Sequence, residues 1–178
     1  MIESIPLILT GIGIIVSILY YTSVLKNAQK ARRTEMFLQL YQERFNIEGM
    51  KNFWKILALE WTTFEEYLKT YGPDADPDTA AMTQTQWNYY DGVGIMVKDG
   101  LVGVDTVFRL MSMSILMVWF KFETVIKGIR EESGNTVLGE NFEYLADIML
   151  RMRKKRGLSI PYKRLHPTSR LLEQYANP

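Results

Sequence analysis

Polar and apolar positions divide the chain into one long uncharged block and a series of shorter periodic ones. From Ile5 to Leu25 the sequence IPLILTGIGIIVSILYYTSVL carries no charge. Those 21 residues make a helix of about 31 Å at a rise of about 1.5 Å per residue, matching a hydrocarbon core of about 30 Å. Pro6 falls in the first turn, where its missing N–H costs little. Tyr20 and Tyr21 come near the far end, at the depth where aromatic rings favour the lipid–water boundary. The pattern predicts a transmembrane helix over residues 5–25.

The flanks give that helix a direction. Only Met1, Ile2, Glu3 and Ser4 precede it, whereas Lys26, Lys30, Arg32 and Arg33 follow within eight residues. The excess of basic residues on the second side places the amino terminus outside the cell membrane and the rest of the chain in the cytoplasm. Two other readings compete. A cleaved signal peptide needs a basic start and a small-residue cleavage site, neither of which is present; the remaining one is a buried helix of a soluble protein. Thr10, Gly13 and Ser17 recur at i, i+3 and i+7, a candidate helix–helix face of small residues.

Beyond the anchor the apolar period becomes helical. Phe37, Leu40, Tyr41 and Phe45 recur among polar residues, and no glycine or proline falls between Ile14 and Ile47. The helix is expected to run on as a basic collar and stalk over 26–47. A bundle over 48–157 follows. Phe53, Leu57 and Trp61 mark one helix, and Thr62 or Thr63 caps FEEYLKTY. The loop Gly72 to Thr79 leads to a helix from Asp78 or Thr79 to Lys98, with Gly100 as its left-handed stop. Asp105 is expected to cap the next helix, nearly all apolar from Met111 to Phe120, and Ser133 to Asn135 ends it. A last helix carries Phe142, Leu145, Ile148, Met149 and Met152. Residues 158–178, with Pro161, Pro167 and Pro178, are expected to be a mostly extended tail. No strand pattern emerges. The fold class is all-α: one transmembrane helix continuing into a cytoplasmic bundle of about five to six helices.

Composition removes several chemistries. A net charge of +1 gives no overall field for nucleic acid or acidic substrates. With no cysteine and the single histidine His166, thiolate nucleophiles, cysteine zinc sites and histidine-rich metal sites are excluded within one chain. Asp74, Asp76 and Asp78 alternate as at the start of a calcium loop, but Thr79 and Thr85 stand where glycine and glutamate are required. Glu65–Glu66 and Glu131–Glu132 are adjacent pairs, which diverge on a helix. Glu123 is spaced for an ordinary surface ion pair with Lys127. His166 sits in a loop sequence, and Ser112 and Ser114 lack a nucleophile-elbow motif. No catalytic residue, cofactor or metal is expected, and the chain is not expected to be an enzyme.

Two polar features stand out. The run Arg151, Arg153, Lys154, Lys155 and Arg156 is a candidate lipid or phosphate contact, competing with a plain solvated helix end whose cations suit the dipole. In WNYYDGVGIMVKDGLV, Trp87 to Val102, the apolar positions make a core helix in which Asp91 is a candidate buried polar residue, with Arg109 the expected partner.

That stretch, together with VWFKFETVIKGIREE and NFEYLADIMLRMRKKRG, resembles a family known as domain of unknown function 4760. The resemblance covers roughly Gln29 to Gly157. It implies a small prokaryotic protein with one amino-terminal membrane helix and a helical cytoplasmic part, and it brings no activity or catalytic residues. The expected partners are the lipid bilayer and other proteins or further copies of the chain; nucleic acid is not expected. The reading favoured is a membrane-anchored interaction or scaffold module. Its alternatives are an accessory subunit of a larger membrane complex and a membrane-tethered hydrolase using carboxylates.

Overall fold

A computed structural model describes residues 4–160. Its order is α1 (Ser4–Arg44), α2 (Ile47–Ala58), α3 (Phe64–Tyr71), α4 (Pro77–Lys98), α5 (Val104–Ser133) and α6 (Glu140–Lys155). All described elements are helices, as the apolar period predicts. By its contacts the chain forms two units, residues 1–43 and 44–178.

The first unit is a continuous helix. Thr10–Gln39 is long and apolar enough to cross a membrane, with a mean hydropathy of 1.3, and none of that apolar window is buried. Ser17 and Thr22 return their hydroxyls to the carbonyls of Gly13 and Ile18, at 2.8 and 2.7 Å. These polar side chains are thereby satisfied within the helix, as a hydrocarbon setting demands.

The second unit is built round α5, where Ile115, Leu116, Val118, Trp119, Phe122 and Val125 lose all contact with solvent. Two aromatic groups organise its sides. Trp61 and Trp87 lie 5.1 and 5.4 Å from Phe122 between ring centres, and Trp61 lies 5.0 Å from Tyr67. On the other side Phe142 of α6 stacks on Tyr90 at 5.1 Å and meets Trp119 edge-on at 5.0 Å. Offset and edge-on arrangements of this kind add specificity to the burial of large rings.

Local chemistry shifts three helix starts from the positions the pattern suggests. The stalk is expected to reach residue 47, yet α1 stops at Arg44 because Asn46 is extended and accepts from Gly49 N at 2.7 Å, starting α2. The fourth helix begins at Pro77, earlier than Asp78 or Thr79, because Asp76 caps Thr79 N at 3.0 Å and proline suits the first position. Asp105 does not cap α5. Gly103 holds the cap position without a side-chain bond, and the Asp105 carboxylate instead meets Arg156 at 2.7 Å. Thr63 does cap α3, and Gly100 and Gly134 adopt left-handed φ of 66° and 69° just past α4 and α5.

The Thr79 backbone and hydroxyl hold the Asp76 carboxyl below its ordinary value of 3.8. A depressed carboxylate stabilises the fold above its unfolded pKa, and that contribution fades as pH falls through the folded value. An NMR titration is expected to place the Asp76 midpoint below 3.8, with the Thr79 amide signal moving in step. A midpoint at or above that value would refute the cap's electrostatic role.

Candidate functional site

The charged groups of the bundle are mostly partnered, which narrows where a site can lie. Asp91 does not turn to Arg109, which is exposed on α5. Its Oδ1 accepts the backbone N–H groups of Asn141 and Phe142, each at 3.0 Å. These are the second and third residues of α6, whose own cap position, Gly139, offers no side-chain acceptor. Asp91 thus serves as a cap supplied from another helix: a carboxylate at a positive helix end, bonded to N–H groups that helix geometry leaves open. Three residues on, Gly94 lets α4 and α6 touch backbone to backbone. A Cβ there would lie 2.6 Å from the Asn141 carbonyl carbon.

Glu123 is also not where its spacing suggests. Its side chain is 2% exposed, and Lys127 Nζ meets it at 2.6 Å. Lys127 also faces Glu143 at 3.7 Å, and Arg130 meets Glu143 at 2.6 Å, so four charges link α5 to α6. The i,i+4 pair is real, but it lies on a central helix that is covered on most sides. Lys121, on the same helix, is buried. It donates to the Leu59 carbonyl at the end of α2 and sits 4.5 Å from the Trp61 ring centre. Burial lowers its pKa, and nearby Glu60 opposes that shift. Arg44 donates to the Gln86 side chain beside Tyr90, whose hydroxyl burial pushes up to about 12.

The basic run dissolves into individual roles. Arg153 is buried and cannot meet lipid or phosphate: its guanidinium holds the Ser159 carbonyl at 2.6 and 2.9 Å and Ser112 Oγ at 3.2 Å. Arg156 pairs with Asp105 and stacks 4.2 Å over Phe108, and Arg151 pairs with Asp147 at 2.6 Å. Lys154 and Lys155 are exposed. Arg153 falls on the apolar stripe Phe142, Ala146, Met149, and that register was the signal for its burial.

On the first unit, Thr10, Ser17, Tyr20, Tyr21, Lys26, Lys30, Arg32 and Arg33 are all exposed, as is Gly13, where a Cβ would meet open space; Leu25 is exposed as well. The side chain of Ile5, the tail residues 161–178 and His166 lie outside the described residues. Among the described residues no group of three or more acidic or histidine side chains is placed to hold a metal.

One cleft opens at the side of the bundle, lined by aromatic and uncharged polar side chains. It measures about 330 Å³ and lies between α3, the first half of α4, the end of α5 and the turn before α6. Tyr67, Tyr71 and Trp87 form its aromatic walls, with Thr83, Ile129 and Leu138 between them. Tyr67 and Thr83 bond to each other at 3.0 Å. The indole Nε1 of Trp87 is buried with no acceptor among the described residues.

The family of these features can now be stated. The family described as a domain of unknown function, DUF4760, matches residues 7–149. The chain belongs to it. The DUF4760 match begins inside α1 and ends within α6, so it takes in Asp91, Gly94, the Glu123 network and the cleft, and stops before the basic run. No curated protein and no solved structure matches the chain.

Proposed function

We propose that this DUF4760 protein is a single-pass protein of the cell membrane, amino terminus outside, whose cytoplasmic bundle is an interaction or scaffold module. One observation carries the reading. None of the apolar window of α1 is buried, and its large apolar side chains from Ile12 to Leu19 are about half exposed or more, such as Leu19 at 65%. Apolar surface on that scale is not stable in water, and lipid is the solvent that suits a helix of this length. Lys26, Lys30, Arg32 and Arg33 supply the orientation. The Lys127–Glu143 and Arg130–Glu143 pairs and the Arg156–Asp105 pair hold helices of the bundle together, which suits a module that presents a fixed surface.

Because the chain has no cysteine, single-cysteine variants need no background removed. In intact cells a membrane-impermeant maleimide is expected to label Ser4→Cys. It is expected to label Ala75→Cys, in the exposed acidic loop, only after permeabilisation. Labelling of Ala75→Cys from outside would reverse the orientation, and release of the chain by alkaline carbonate would remove the anchor. Stoichiometric partners in a mild-detergent pull-down, bridged by the bundle, are the result expected of a scaffold.

A further inference from the structure

We propose that α1 pairs in parallel with α1 of a second copy of this chain. The seam is Val24, Asn27, Ala31, Thr34 and Leu38, and Lys30 of each copy meets Glu35 of the other. The pairing rests on the membrane reading, because anchoring from one side sets two copies parallel and in register. Spacing is the first support. The five positions alternate by four and three residues, the repeat that keeps one seam of a helix facing a partner helix. All five are exposed, Val24 and Leu38 at 43% and 45%. The last four, with Lys30 and Glu35, border one open hollow along the helix. Carried back through Tyr20, the same alternation passes Ser17, Gly13 and Thr10, small side chains over which helices approach closely in lipid. α1 is unbroken from Ser4 to Arg44, so the seam is continuous.

Charge specifies the occupant. Glu35 is the one carboxylate between Ser4 and Gln42. Lys30 and Glu35 flank the seam on opposite sides, about 140° apart round the helix, so they cannot pair within one chain. Arg32 stands one turn before Glu35, yet among the described residues neither Lys30 nor Glu35 makes an ion pair. In a parallel pair, the residues flanking the seam on one helix face those on the opposite flank of the other. Lys30 precedes Ala31 and Glu35 follows Thr34, so each finds the other across the seam. The arrangement is self-complementary and is made twice. Lys26, Arg32 and Arg33 fall away from the seam, where their like charges do not confront one another.

The chain has no cysteine, so disulfide capture between single-cysteine copies reads the paired face directly. In the full chain in vesicles of neutral lipid, Ala31→Cys and Thr34→Cys are expected to oxidise to the dimer at least about five-fold faster than Gln29→Cys and Met36→Cys, because the bond needs Cβ atoms about 4 Å apart. Gln29 and Met36 are exposed on the opposite side of α1 at similar depth. In the Ala31→Cys chain, Lys30→Glu or Glu35→Lys alone is expected to slow capture roughly ten-fold, since two attractive pairs become repulsive. The two reversals together are expected to restore it, which a change in helix stability would not do. Equal rates at all four positions would overturn the proposal. So would capture that ignores either single reversal, or a double reversal that stays slow. A chain that alkaline carbonate strips from the vesicles removes the membrane reading and this pairing with it; an embedded chain with equal rates removes the pairing alone.

Discussion

Replacing Gly94 by alanine is expected to destabilise the bundle by about 3 kcal/mol, although alanine is the better helix former by about 1 kcal/mol. The methyl group would overlap the carbonyl of Asn141, with the carbonyl carbon at 2.6 Å and the Asn141 Cβ at 3.0 Å. The obstacle is backbone in the first turn of α6, so no side-chain rotation relieves it. The helices must separate, and that separation disturbs Phe142, which is fully buried between Tyr90 and Trp119. Gly92 supplies the control two residues away. A Cβ there meets nothing within 4 Å, and Gly92→Ala is expected to stabilise by about 0.5–1 kcal/mol through the helix backbone alone. Denaturant unfolding of the full chain in detergent, followed by tryptophan fluorescence, separates the two. Equal effects at both positions would refute the close crossing.

The contrast between these two glycines shows how far the sequence was legible. Both are glycines on one apolar helix, and the pattern does not say which of them lies against a neighbour. Helix existence, the cap at Thr63, and the stops at Gly100 and Gly134 follow from local rules, because a cap or a left-handed residue acts on its own turn. Burial of charge is different. Glu123 and Lys127 have the spacing of a solvent pair, and only the packing of α5 at the centre of the bundle buries the carboxylate. Counting the cations of Arg151 to Arg156 overlooked direction: Arg153 shares a face with Met149 and Ala146, and its guanidinium is used to hold the chain leaving α6 at Ser159. The cleft was not legible at all. Its walls come from residues between Tyr67 and Leu138, which read as ordinary core, helix-end or loop residues of four separate segments.

Asp91→Ala is expected to cost about 3 kcal/mol, and Asp91→Asn about half of that. Two backbone N–H groups at 3.0 Å lose a charged acceptor in the alanine variant. Bonds to charged groups contribute about 1.5–3 kcal/mol each, and an unmatched partly buried donor is left behind. Asparagine keeps an oxygen for one or both bonds but gives up the charge that favours the positive end of α6. Opposite charge is what a sequence offers as a partner for a lone aspartate, and Arg109 was the candidate of that kind. The donors that Asp91 meets are main-chain groups, which no residue type announces. A trace of them was nevertheless present: the segment TVLGENFEYL starts a helix with glycine at the cap, so the open N–H groups of its first turn had to find an acceptor elsewhere. Hydrogen exchange gives the decisive readout, since it reports on α6 and not on stability at large. In Asp91→Ala the amides of Asn141 and Phe142 are expected to exchange faster than the global unfolding rate allows, while α3 keeps its protection. If those two amides remain as protected as the rest of α6, Asp91 is not the cap.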